Sequence, residues 1–194
     1  NATYFGEIIS LPMRWRDTWT IVVMAVVCGL LGGAFSRLMI QAMSPGSHWL
    51  QRWRQARPLH FAAACGLVVA VIGVVAGGVT FGSGYQATRS LLEGQDAVHG
   101  LYTPLRFVVS WVSAISGVPG GIFAPSLAIG AGLGHDVAAW TGYHQPTMIA
   151  LGMVGFLAGA TQAPLTAAII VMEMVTGHEM VLSLMACAMG ANAV

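Results

Sequence analysis

Charge is what this sequence has least of. Lys and Arg together number 8 and Asp and Glu 7, so that only 8% of the 194 residues are charged. A soluble globular domain carries about a quarter, and a chain this poor in charge cannot cover a water-facing surface. The few charges are also segregated. Thr18 to Ser36, Leu59 to Thr88, Phe107 to Gly134 and Val137 to Met172 contain no Asp, Glu, Lys or Arg, and each run has the length needed to reach across hydrocarbon as a helix, roughly 20 residues.

Other absences remove whole classes of function. The formal net charge is +1, without the clustered excess of Lys and Arg that neutralising a phosphate backbone needs, so no nucleic-acid partner is expected. Cys28, Cys65 and Cys187 are far apart and form no CxxC pair, which argues against metal or redox work and for small packing residues. His178-Glu179 begins like a zinc-protease helix, but position 182 is Leu182 where the second His is required. No Ser/His/Asp or Cys/His grouping appears, so the chain does not read as an enzyme. It opens on Asn1 without a basic region before its first apolar run and closes on Ala193-Val194 inside another; it reads as a fragment truncated at both ends.

What is present is apolar and small. Hydrophobic residues make up 56% and glycines number 25. Gly29/Gly33, Gly73/Gly77, Gly130/Gly134 and Gly155/Gly159 fall four apart, the spacing that lets membrane helices approach closely. Arg14, Arg16 and Asp17 with Trp15 and Trp19 mark an interface before a first span, Thr18 to Gln41. The basic stretch through Arg52, Arg54 and Arg57 reads as a surface connection. A second span, Leu59 to Val79, is expected to stop at Thr80-Phe81-Gly82-Ser83-Gly84 and to be followed by a short amphipathic piece, Tyr85 to Leu92. Helices are expected from Pro146 to Ala160, from Pro164 to about Thr176, and from Met180 onward.

Between Leu105 and Val137 the pattern changes. Ser116-Gly117-Val118-Pro119-Gly120-Gly121 cannot continue a helix, so two helices separated by a break at membrane depth are expected. Broken backbone is tolerated there only if it is buried in protein or lines a hydrated cavity. The second helix would begin at Gly120-Gly121-Ile122-Phe123-Ala124-Pro125. Its first amides lack partners and carry the positive end of the helix dipole, so they can hold an anion. Gly120 and Gly121 keep side chains clear of a close approach, and Pro125 gives up no needed donor. Partial charges of this kind stabilise a halide without trapping it as a full Lys or Arg charge would.

These residues carry a family resemblance. Ser116 to Gly130 is similar to the G-x-F-x-P segment of ClC chloride channels and chloride/proton antiporters. Gly155 to Ala160, Ala163-Pro164-Leu165-Thr166 and Val171 to Gly177 resemble a later helix pattern of that family, and Phe81-Gly82-Ser83-Gly84-Tyr85 resembles one of its glycine-rich turns. The resemblance implies an all-α integral membrane protein, a ClC-type bundle of tilted and broken helices, with residues 1–194 forming the C-terminal half of the transmembrane domain and the second half of an inverted repeat. It implies that the Ile122 and Phe123 amides coordinate chloride, with Ala124 assisting at a neighbouring site and Gly120, Gly121 and Pro125 supporting it. It also implies chloride as the transported ligand with no other cofactor, a lipid bilayer, a homodimer, and a multi-pass placement in a bacterial inner membrane. Helices containing Gly29 to Gly33, Ala163 to Thr176 and Met180 to Val194 would lie toward the partner subunit.

Gly82-Ser83-Gly84 imitates the family's G-S-G-x-P anion motif, but Tyr85-Gln86 follow it, so Ser83 is not assigned as a ligand. Glu173, an acid inside an apolar span, is expected to serve structure by bonding to neighbouring helices, with proton relay as the alternative. Two other functions stay open on the residues alone: a secondary transporter of another family holding a different anion at the same kind of helix end, and a membrane assembly subunit that transports nothing.

Overall fold

The computed structural model describes residues 18–43, 49–92, 101–118, 120–175 and 180–194. Their elements are helices: α1 Thr18–Met43, α2 Trp49–Ala56, α3 Pro58–Val75, α4 Tyr85–Leu92, α5 Tyr102–Ile115, α6 Phe123–Thr141, α7 Gln145–Thr161, α8 Pro164–Met174 and α9 Val181–Ala193. At 1.5 Å per residue, α1 with its 26 residues reaches about 39 Å and α3 with 18 about 27 Å. Both are long and apolar enough to cross a bilayer.

Helix α7 is the hub. It is apolar all round, the pattern of a helix with neighbours on every side, and the side chains of Met148, Ile149, Leu151, Met153, Val154, Phe156 and Leu157 are all 0% exposed. Helices α1, α6, α8 and α9 pack around it. Where α6 crosses α7, glycine replaces side chain on both helices. A methyl group at Gly152 would overlap the Gly130 carbonyl oxygen and lie 3.0 Å from the Gly134 Cα. About two turns further along the same face of α7, a Cβ at Gly159 would sit 3.4 Å from the Cα atoms of Gly29 and Gly32. Gly29 also faces the Ala191 carbonyl of α9, 2.6 Å from where its Cβ would be.

Three rings lock α5 onto this core. Phe35 of α1 lies 5.1 Å from Phe107 of α5 and 5.8 Å from Phe156 of α7, and Phe107 meets Phe156 at 6.4 Å, separations typical of favourable edge-to-face pairs. A smaller cluster of Phe61, Cys65 and Val112 joins α3 to α5, with Trp53 of α2 edge-on to Phe61 at 5.4 Å. The stretch read from sequence as a basic surface connection therefore contains a helix. Trp49 and Trp53 stand four apart in the sequence, a helical spacing among three arginines.

Chain breaks have identifiable causes. Gly117 (φ 82°) and Gly142 (φ 67°) adopt the left-handed conformation just after α5 and α6, the usual glycine stop of a helix. Gln162 does the same after α7 with φ 57°, and its side-chain amide donates to the Gly159 carbonyl at 2.9 Å. Pro58, Pro146 and Pro164 stand in the first turns of α3, α7 and α8, where a missing amide costs nothing. The second span ends four residues earlier than its apolar run suggested, because Gly77 and Gly78 take positive φ. Thr176, where the helix from Pro164 was expected to end, lies outside the described residues.

Candidate functional site: an open helix start at the α5–α6 break

Gly117 turns the chain out of α5, and six residues later Phe123 opens α6. The Ser116 hydroxyl donates to the Ser113 carbonyl at 2.6 Å and accepts from the Val118 amide at 3.3 Å, which holds the turn. Pro119 lies outside the described residues. Gly120 and Gly121 are exposed, and a Cβ on either would meet nothing within 4 Å.

Ile122 is the residue just before the helix, with φ −90° and ψ −17° and no side-chain cap. Its carbonyl points down the helix, accepting from the Ser126 amide at 3.0 Å and from the fully buried Ser126 hydroxyl at 2.7 Å. The amides of Ile122, Phe123 and Ala124 donate to no acceptor among the described residues. Pro125 has no amide to donate. Ile122 is 40% exposed and Phe123 50%, whereas Ser126 to Gly134 are buried. Helix α6 thus runs from an open, uncapped positive end straight into the core. Such an end attracts an anion through aligned partial charges.

The other expected residue stands apart. Glu173 is on an exposed face of α8 and makes no hydrogen bond within the described residues, so the bonding to neighbouring helices expected of it is not made there. Glu173→Gln in the full-length protein is expected to change stability by less than about 0.5 kcal/mol, as a surface substitution does. Thermal denaturation in detergent checks it; a large loss would assign Glu173 a buried partner.

One residue escaped the sequence argument. Arg106 lies within the apolar stretch from Leu105 to Val137, just before the charge-free run that begins at Phe107, and drew no role from the sequence, yet it is 2% exposed. Its guanidinium donates to the carbonyls of Thr80 and Gly82, pinning the glycine-rich turn to α5. The signal was its place four residues after Tyr102 in an apolar helix, on the same face.

The family model described as voltage gated chloride channel matches residues 1–194. The chain belongs to that family. A solved structure of a CLC-type fluoride/proton antiporter superposes with a TM-score of 0.84 at 19% identity, covering 98% of this chain and 47% of that one. The ClC-type fold is therefore shared far beyond sequence similarity, and this chain spans about half the length of that antiporter. The architecture is the all-α integral membrane bundle of ClC proteins.

Proposed function

We propose that the full-length protein moves chloride across a membrane, as a channel or a chloride/proton antiporter, and that the start of α6 is one wall of its path. The observation that carries this reading is the uncapped, exposed start of α6, with the amides of Ile122 and Phe123 without acceptors among the described residues and beside two glycines. Those amides replace part of the water around chloride, and the Ala124 amide serves a neighbouring position. Each interaction is weak enough to be broken in turn, which conduction requires. Gly120, Gly121 and Pro125 keep the approach free of side chains and competing donors.

Residues 1–194 form, in this reading, the C-terminal half of the transmembrane domain and the second half of an inverted repeat. The protein works as a homodimer in a lipid bilayer, a bacterial inner membrane, and uses no cofactor besides the ion it carries. No step of it is an enzymatic reaction.

Chloride efflux from liposomes containing the full-length protein tests this. Efflux well above that of protein-free vesicles, with larger organic anions excluded, is the expected result. Fluoride belongs in the same series, since the superposed structure is that of a fluoride/proton antiporter. Absence of flux for every anion would overturn the reading in favour of an assembly subunit, and preference for organic anions would point to another substrate.

A further inference from the structure

Arg106 is a full positive charge buried in an apolar bundle, and among the described residues no carboxylate lies against it. The two acids among the described residues are engaged elsewhere or distant: the Asp136 carboxylate of α6 accepts from the Thr103 hydroxyl at 2.7 Å and lies 3.6 Å from the His135 ring, and Glu173 is exposed on α8. Two guanidinium nitrogens are used on backbone carbonyls, and the third, Nε, has no partner.

Around it lie two more orphans. The Thr80 hydroxyl and the Tyr102 hydroxyl are buried without a hydrogen-bond partner, at 4% and 5% residue exposure. Thr80 is the residue whose carbonyl Arg106 holds, and Tyr102 stands one turn before Arg106 on α5, within electrostatic reach of the guanidinium. Orphaned buried polar groups are rare in folded proteins, and a cluster of them signals a bound species. Here all three atoms can donate and the local charge is positive. Water and an anion can each accept from these donors; only an anion also cancels the charge.

Access is short. The Thr80–Gly84 turn also walls an open recess of about 700 Å³ lined by Gly77, Gly78, Phe81, Gly82, Ser83 and Gln86, among others. Gly82 and Gly84 line the recess, and both lie against the Arg106 guanidinium: Gly82 gives it a carbonyl, and a Cβ at Gly84 would sit 3.1 Å from its Nη2.

We propose that Thr80, Tyr102 and Arg106 form a site for a small monovalent anion, a resident counter-ion separate from the α6 start. It ties the glycine-rich turn to α5 and neutralises the buried charge. The site does not depend on the transport reading: a protein that transports nothing would still hold the ion.

Tyr102→Phe gives a test of sign. If no anion is bound, removing an orphaned buried hydroxyl relieves a desolvation penalty, and the full-length variant melts at or above the wild-type temperature whether the salt is bromide or gluconate. With the anion bound, the variant melts lower than wild type in bromide only, and the bromide concentration giving half of the stabilisation rises roughly tenfold. Thr80→Val is expected to act alike. The wild-type protein supplies the independent check by anomalous diffraction from crystals grown in bromide. A bromide peak in contact with Arg106 Nε supports the site. Water there, or no peak, overturns it. A peak at Arg106 but none at Ile122 and Phe123 upholds this site while counting against the pathway; the reverse pattern does the opposite.

Discussion

Gly152→Ala in the full-length protein is expected to lose roughly 3 kcal/mol or more of stability, a drop of roughly 6–12 °C in the melting temperature of a unit this size. One methyl group is enough because the atom it meets is backbone. The Gly130 carbonyl oxygen occupies the position the new Cβ needs, and the Gly134 amide and Cα close off retreat along α6. Rotamer changes relieve nothing at a contact that contains no side chains, so α6 and α7 must separate along their whole shared face. The side chains buried on α7 then lose their packing as well. Gly134→Ala meets the Met148 carbonyl in the same way, and the two substitutions together should cost less than their sum, since either one already forces the helices apart. Gly33→Ala is the control. It sits within α1, a Cβ there meets nothing within 4 Å, and alanine is the better helix former by up to about 1 kcal/mol. Equal melting temperatures for Gly152→Ala and wild type would show that α6 and α7 do not touch through glycine.

These contacts also show how far the sequence could be read. The four-residue glycine spacing identified a closely packed membrane bundle, and Gly130, Gly134, Gly155 and Gly159 do lie at tight crossings. Spacing could not say which glycines face a partner. Gly33 faces open space, Gly73 makes room for the Phe81 ring, and Gly77 is a positive-φ turn residue. Gly152 and Gly32 belong to no such pair on the list from sequence, yet each sits at a helix crossing. Helix contacts depend on the neighbour's face, which periodicity along one helix does not contain.

The break before α6 was legible for the opposite reason. Its determinants are local: Gly117 in left-handed conformation, glycines at 120 and 121, and Pro125 in the first turn. Local backbone chemistry is written in consecutive residues, and the helix starts at Phe123, inside the Gly120 to Pro125 segment expected to open it. Arg106 was missed because its burial is a tertiary fact, produced by a turn more than twenty residues away that supplies two carbonyls. Helix α2 was missed because three arginines in nine residues look like a solvated loop until the two tryptophans are counted at helical spacing.

The amide at position 123 is the part of the site most open to experiment. Phe123→Pro removes that one donor. Proline's own φ suits the first position of a helix and the Phe123 side chain is half-exposed, but proline disfavours the α-region backbone of Ile122 before it (φ −90°, ψ −17°), so thermal denaturation alongside wild type is part of the test. A hydrogen bond to a charged group contributes about 1.5–3 kcal/mol, which makes chloride affinity fall roughly ten- to a hundredfold. Phe123→Ala keeps the amide while discarding the ring, and should bind as wild type does. A loss common to both variants would assign the effect to the ring instead.

The direct test is therefore calorimetric titration of chloride into three full-length proteins: wild type, Phe123→Ala and Phe123→Pro. If the start of α6 holds the anion, the alanine variant matches wild type and the proline variant is weaker by at least about tenfold. If the folded proline variant binds chloride as tightly as wild type, the anion is held somewhere other than the amide at position 123.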